Sequence, residues 1–222
     1  MKHIPIILPK FKLDAVLTGL ATQVVVPLAK QPLPQLDSVY PPSPYRKGFE
    51  FYQQQFKDAQ MDIRKYPEVH CPYGKKGDLL YVQEAWSTIG VTSQDFILKA
   101  VTPDGLFTDR NKKKAWQPPA TMPSVAARQW LRVTDIRLQR MQSLTKEQAL
   151  FQGAEPVVEQ NQPGLAPAYV DHLRKGQVCY GSKIAYMQWC KAVYGKLWDK
   201  NVWVWVVSFT HSEAPFKRAN LT

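Results

Sequence analysis

Few side chains in this sequence are placed to do chemistry, and most of them are cationic or aromatic. Glu84 and Trp86 flank Ala85, so on an extended segment they share one face. A carboxylate beside an indole can read a base edge while the ring stacks on the base. The same pair equally suits a core wall with one salt-bridged glutamate. Trp116 offers a second flat surface for stacking or packing. Arg128 either contacts a phosphate or pairs with an acid such as Asp135. Glu84 with Asp78 is the one candidate carboxylate pair for metal-assisted hydrolysis. His70 and Cys71 are adjacent, which on a strand points them apart, and no further ligands complete a metal set around them. A nucleophilic Cys–His pair needs the fold to join residues such as Cys190 and His172, while a buried inert thiol is the default for Cys190 beside Trp189. Basic side chains cluster at Lys75 and Lys76, and again at Arg110 with Lys112, Lys113 and Lys114. Each cluster reads either as a solvated turn or as a track for a phosphate backbone. Phosphate-cradling glycine loops, dinucleotide fingerprints, nucleophile elbows and zinc-protease helix motifs do not occur, and neither cofactor nor metal is expected.

The elements that position these groups are mostly strands. Ile4 to Leu8 is a short apolar run, and Phe11 to Leu17 reads as a short helix stopped near Gly19. The β-branched run Gln23 to Val26 ends at Pro27. Residues 32–45 are proline-rich and read as a loop, and 48–65 as a helix or an inserted hairpin, so 32–69 is treated as an excursion from the domain. Asp78 to Trp86 follows a Gly-Lys-Lys-Gly turn and reads as one strand, with further strands at Phe96 to Val101 and Trp130 to Leu138. Thr145 is a capping residue with Gln148 at the third helical position, and Gly153 ends that helix. Residues 154–180 are loop-rich. Ile184 to Leu197 has helical apolar spacing, and Val202 to Phe209 is the strongest strand signal, with Trp203 and Trp205 on one face. Many strands with few short helices indicate an α+β domain, read as a single unit over residues 1–222.

With 45% hydrophobic residues the chain can bury a real core, which excludes wholesale disorder. Lys and Arg total 29 against 18 Asp and Glu, and the formal net charge of +11 favours polyanionic partners. The three cysteines form no CxxC pair, which argues against a zinc ribbon or a disulfide framework and for a reducing compartment. No apolar run approaches a membrane span or a signal peptide, so a cytoplasmic location is expected.

Several segments, taken in order, resemble the ASCH family of PUA-like domains, in the longer form found in prophages and phages. Gly19-Leu20-Ala21-Thr22-Gln23-Val24-Val25-Val26 stands where that family has Gly-Arg-Lys-Thr-Gln-Thr-Arg-Arg. Cys71-Pro72-Tyr73-Gly74 with Gly77-Asp78, and Tyr81-Val82-Gln83-Glu84-Ala85-Trp86, stand where it has Cys-Pro-Tyr-Gly, Gly-Asp and Val-Arg-Glu-x-Trp. Trp116-Gln117-Pro118, Met122 to Arg128, Ala149-Leu150-Phe151-Gln152-Gly153 and the closing Trp198-Asp199 and Asn201 to Val207 also fit. The resemblance implies a small mixed β-barrel with short flanking helices.

Members related to the bacterial N4-acetylcytidine amidohydrolase are thought to use a lysine, a threonine and a glutamate. By position these fall on Ala21, Val24 and Gln152, none of which can titrate or carry the hydroxyl. Family arginines fall on Leu20, Val25, Val26, Gln83 and Ser124, all neutral. The resemblance therefore implies a protein that binds RNA or a modified nucleotide without the standard hydrolysis, through a pocket of Thr22, Gln23, Glu84, Trp86, Trp116 and Arg128. Its basic surface is expected at Lys75, Lys76, Arg110, Lys112, Lys113 and Lys114. A hydrolase or ribonuclease with a rearranged site, and a phage-derived module that binds a protein partner, are the alternatives. A structure that placed Lys12 or Lys30 at the position of Ala21 would overturn the argument for a lost lysine.

Overall fold

The computed structural model describes residues 1–33, 36, 38–57, 60–88, 96–98, 116–171, 174 and 177–216. In chain order they form β1 (His3–Ile7), α1 (Lys10–Leu17), β2 (Gln23–Pro27), β3 (Ser38–Tyr40), β4 (Glu50–Lys57), β5 (Gln60–Lys65), β6 (Leu79–Gln83), β7 (Trp86–Thr88), β8 (Phe96–Leu98) and β9 (Trp130–Arg140). There follow α2 (Lys146–Phe151), β10 (Ala168–Val170), β11 (Val178–Tyr180), α3 (Ser182–Tyr194), α4 (Lys196–Asp199) and β12 (Trp203–Ser212). The main sheet runs β1-β6-β9-β12-β2, with β1 parallel to β6 and every other pair antiparallel.

The unbroken apolar run of β12 explains its central place. Trp203, Trp205, Val207 and Phe209 enter one core with Leu13 and Val16 of α1, Val24 of β2, and Leu131 and Val133 of β9. Val204 and Val206 enter a second core with Tyr186, Trp189 and Cys190 of α3. A strand covered on both faces has no use for alternating polar residues. The fold is thus α+β, as expected. The described ladder leaves β1 and β2 as edges and does not close into a barrel.

The excursion is more structured than a proline-rich loop over 32–45 implies, and of the two readings for 48–65 the hairpin is the one observed, as β4–β5. Residues 32–69 contain a three-stranded sheet, β3-β4-β5, that packs onto the main core. Phe49 meets Trp205 and Phe51 meets Trp203 edge-to-face, at ring separations of 5.2 and 5.0 Å. Leu36 is buried, and its carbonyl accepts from Trp203 Nε1 at 3.1 Å and from Arg140 at 3.0 Å. The prolines set turns between these contacts and do not prevent them. The loop-rich 154–180 segment likewise holds the small hairpin β10–β11. The single strand expected from Asp78 to Trp86 is interrupted at Glu84 and Ala85, and Trp86 opens the separate hairpin β7–β8. The capping box at α2 is present: Thr145 N donates to Gln148 Oε1 at 2.9 Å and Gln148 N to Thr145 Oγ1 at 3.2 Å. Among the described residues no helix is long and apolar enough to cross a membrane.

Candidate nucleic-acid interface

Asp78 builds one wall of a cleft. Its Oδ1 accepts from the Lys2 backbone N–H at 2.8 Å and its Oδ2 from that of Lys75 at 3.1 Å. Burial alone would raise this carboxyl, but the two N–H bonds, with the terminal amine and the Lys75 charge, hold it below the usual carboxylate value. The turn closes tightly because Gly74 has φ +84° and a Cβ there would lie 2.7 Å from both Asp78 Oδ2 and Ile4 Cδ1. Lys2, Lys75 and Lys76 are thereby presented together and exposed. The facing wall comes from the excursion, with Pro42, Lys47, Gly48 and Phe49; His70, Cys71, Asp135 and Ile136 complete a cavity of about 620 Å³.

The charge of this cleft is positive. Of its acids, Asp78 is occupied by backbone donors and Asp135 pairs with Arg137 at 3.1 Å. Four lysines and a histidine face them. Burial pushes the Cys71 thiol up to about 11, against the pull of the Tyr73 backbone N–H, so at neutral pH it is a thiol and no nucleophile. The cleft suits anion binding and shows no group set for covalent chemistry.

Lys75 and Lys76, expected on the basic surface, line this cleft; Arg110 and Lys112 to Lys114 lie outside the described residues. Lys2, Lys47 and His70 were not anticipated there. They are far apart in sequence, and the docking of the excursion on Trp203 and Trp205 of β12 brings them together.

The positions aligned with the hydrolytic triad do meet. Ala21 and Gln152 form an antiparallel bridge, Thr22 N donates to Phe151 O at 3.0 Å, and Val24 is sealed in the core. Gln152 Nε2 donates to Gln23 Oε1 at 3.3 Å, and Gln23 Nε2 to Ser208 Oγ at 3.0 Å. Beside them lies an amine from another element. Lys12 of α1 is 1% exposed. Its Nζ donates to the Gln152 carbonyl and, at 3.1 Å, to Gln152 Oε1, and it lies 4.6 Å over the Trp189 ring. Gly153 makes this approach possible: its φ is +86°, and a Cβ would lie 2.7 Å from that of Ala15. Burial lowers the Lys12 amine to about 7 against the opposing pull of Cys190, whose own thiol burial raises to about 12. An amine that burial pushes toward its neutral form thus stands beside Gln152, whose backbone bridges Ala21. The hydroxyl and the carboxylate are not replaced, since Val24 and Gln152 remain what they are.

The remaining expected pocket residues fall elsewhere. Two strands, β9 and β12, separate Gln23 on β2 from Glu84 at the end of β6. Glu84 is buried and takes a bidentate pair from Arg128, with both contacts at 2.8 Å. That pairing consumes the carboxylate proposed for a base edge and the guanidinium proposed for a phosphate. Trp86 leans on Phe96 at 5.7 Å and donates from Nε1 to Thr121 Oγ1 at 3.1 Å, and its backbone bridges Gln117, next to half-buried Trp116. These residues form a structural corner. Among the described residues no group of three or more His, Cys, Asp or Glu is placed to hold a metal. No family model, no curated protein and no solved structure matches this chain.

Proposed function

We propose that this chain is a PUA-like protein of the ASCH type that binds RNA, with its mixed sheet as the core of that fold's small barrel. The carrying observation is the cleft in which Lys2, Lys47, Lys75 and Lys76 converge on a protein of net charge +11. Lysine ammonium groups spread along an open cleft suit successive backbone phosphates. The family's amide hydrolysis is absent in this reading, because Gln152 cannot shuttle a proton and Val24 has no hydroxyl. One observation favours a second reading, a hydrolase with a rearranged site: the neutral-leaning amine of Lys12 beside Gln152.

The test is binding of a labelled single-stranded RNA at several salt concentrations, with acetylcytidine supplied in parallel and the nucleosides separated by chromatography. Four phosphate contacts predict a slope of log affinity on log salt of about −3, and Lys75→Gln with Lys76→Gln together lower its magnitude by about 1.4. Absence of RNA binding, or binding indifferent to salt, sinks the primary reading. Release of cytidine, lost in Lys12→Met, establishes the second.

A further inference from the structure

The proline-rich turn next to the cleft carries an aromatic surface that the cleft itself does not use. In β4 Phe51 points into the core, so Tyr52 points to the opposite face. In β3 Val39 pairs with Phe51 and packs against the core, so Tyr40 shares the outer face with Tyr52. Their rings stack at 4.0 Å and 16°. The turn is tight: Ser43 N donates to Arg46 O at 2.9 Å and Arg46 N to Ser43 O at 3.0 Å, with Pro44 between them. This return brings the Arg46 guanidinium 4.6 Å over the Tyr40 ring and leaves Tyr45 95% exposed. Among the described residues no further ring or cation stacks on Tyr52. The same turn supplies Pro42 and Lys47 to the cleft, so the stack and the cleft are two sides of one loop.

We infer that Tyr40, Tyr52 and Arg46 form a base-stacking platform, and that the ligand of the adjoining cleft is a single-stranded nucleic acid whose bases lie on this platform; the inference rests on the nucleic-acid reading above. The chemistry selects that occupant. Every unpaired base has a π-face that gains by stacking on tyrosine, and Arg46 beneath the pair adds cation–π attraction. A duplex keeps its base faces inside its own stack and gains nothing from the platform. The surroundings complement a polyanion: Lys47 is exposed on the same turn, and exposed Lys65 stands opposite Tyr52 across the strands, approaching Glu50 at 3.9 Å. The prolines and the pre-stacked pair also fix the surface before binding, which reduces the ordering cost.

The experiment uses the full chain and measures fluorescence anisotropy of three probes of equal phosphate count: a short single-stranded RNA, a duplex of half that length, and an abasic strand of the full length. The single-stranded RNA is expected to bind tightest. Tyr52→Ala is expected to weaken it by roughly 5- to 140-fold, the range for loss of one stacking contact, while binding of the abasic strand stays unchanged. Tyr52→Phe, which keeps the ring, is expected to bind as the parent does and guards against a folding artefact. Equal affinity for RNA and abasic strand, with no effect of Tyr52→Ala but retained salt dependence, overturns the platform and leaves the cleft reading standing. Absence of binding to all three probes overturns both. Displacement of the strand by poly-glutamate as readily as by RNA overturns the platform in favour of a charged face for an acidic protein.

Discussion

Lys12 shows how one side chain can make stability depend on pH. Its amine is held near 7 in the fold against 10.5 in its ordinary state. Between those values the unfolded chain holds a proton that the folded chain lacks, so stability rises with pH across that window and is flat below it. The gap of 3.5 (10.5 − 7) corresponds to about 4 to 5 kcal/mol of destabilisation at pH 7 and below. Lys12→Met removes that cost but leaves Gln152 oxygens without their donor, worth about 1 to 3 kcal/mol. The variant is expected to be more stable than the parent by roughly 2 kcal/mol at pH 6, and equal or less stable at pH 10, where the charging cost has largely gone. Urea denaturation of both proteins at the two pH values reads this directly. A difference between them that does not change with pH would mean that the amine is not held near 7. The Glu84–Arg128 pair shows the opposite economy: a buried charge made tolerable by a bidentate partner, and thereby removed from chemistry.

The elements that position Lys12 and Gln152 meet at Gly153. Its positive φ and the 2.7 Å approach to the Ala15 Cβ leave no room for a side chain. Gly153→Ala is expected to cost about 2 to 4 kcal/mol, from left-handed backbone strain and overpacking together. It should also pull Gln152 off Lys12 and so weaken the pH dependence described above; a thermal midpoint unchanged from the parent would contradict this packing. Elements of this kind were legible where the signal is local. Thr145 and Gln148 stand at capping-box spacing, the glycine follows, and the run from Val202 to Phe209 has no other reading than a buried strand. The site was less legible because its signals are tertiary. Lys12 on a short helix reads as a solvated cation until α2 is seen to close over it. Glu84 and Trp86 have the parity of one face, but the chain turns between them to satisfy the buried Glu84 with Arg128. Lys2, Lys47 and Lys75 carry no mutual spacing at all.

At the scale of the whole molecule, the cleft exists because the excursion is docked. Lys47 and Pro42 belong to the excursion, whereas Lys2, Lys75, Lys76 and Asp135 belong to the main sheet and its turns. What fastens the two is aromatic: Phe51 on Trp203 and Phe49 on Trp205, all four side chains at most 6% exposed. If the excursion shares the core, it unfolds with the core. Phe51→Ala is then expected to shift one cooperative transition, by about 3 to 5 kcal/mol, as for other buried aromatic truncations. Tyr40→Ala, on the outer face of the same sheet, is expected to cost about 1 kcal/mol, the worth of an aromatic pair. Urea unfolding followed by tryptophan fluorescence and by far-UV circular dichroism distinguishes the cases. Coincident curves moved together by Phe51→Ala mean one folding unit, and a cleft as rigid as the core behind it. An early separate transition in Phe51→Ala, with the main one unmoved, would make the excursion an appendage, and the four lysines could then not hold a fixed spacing toward a phosphate backbone.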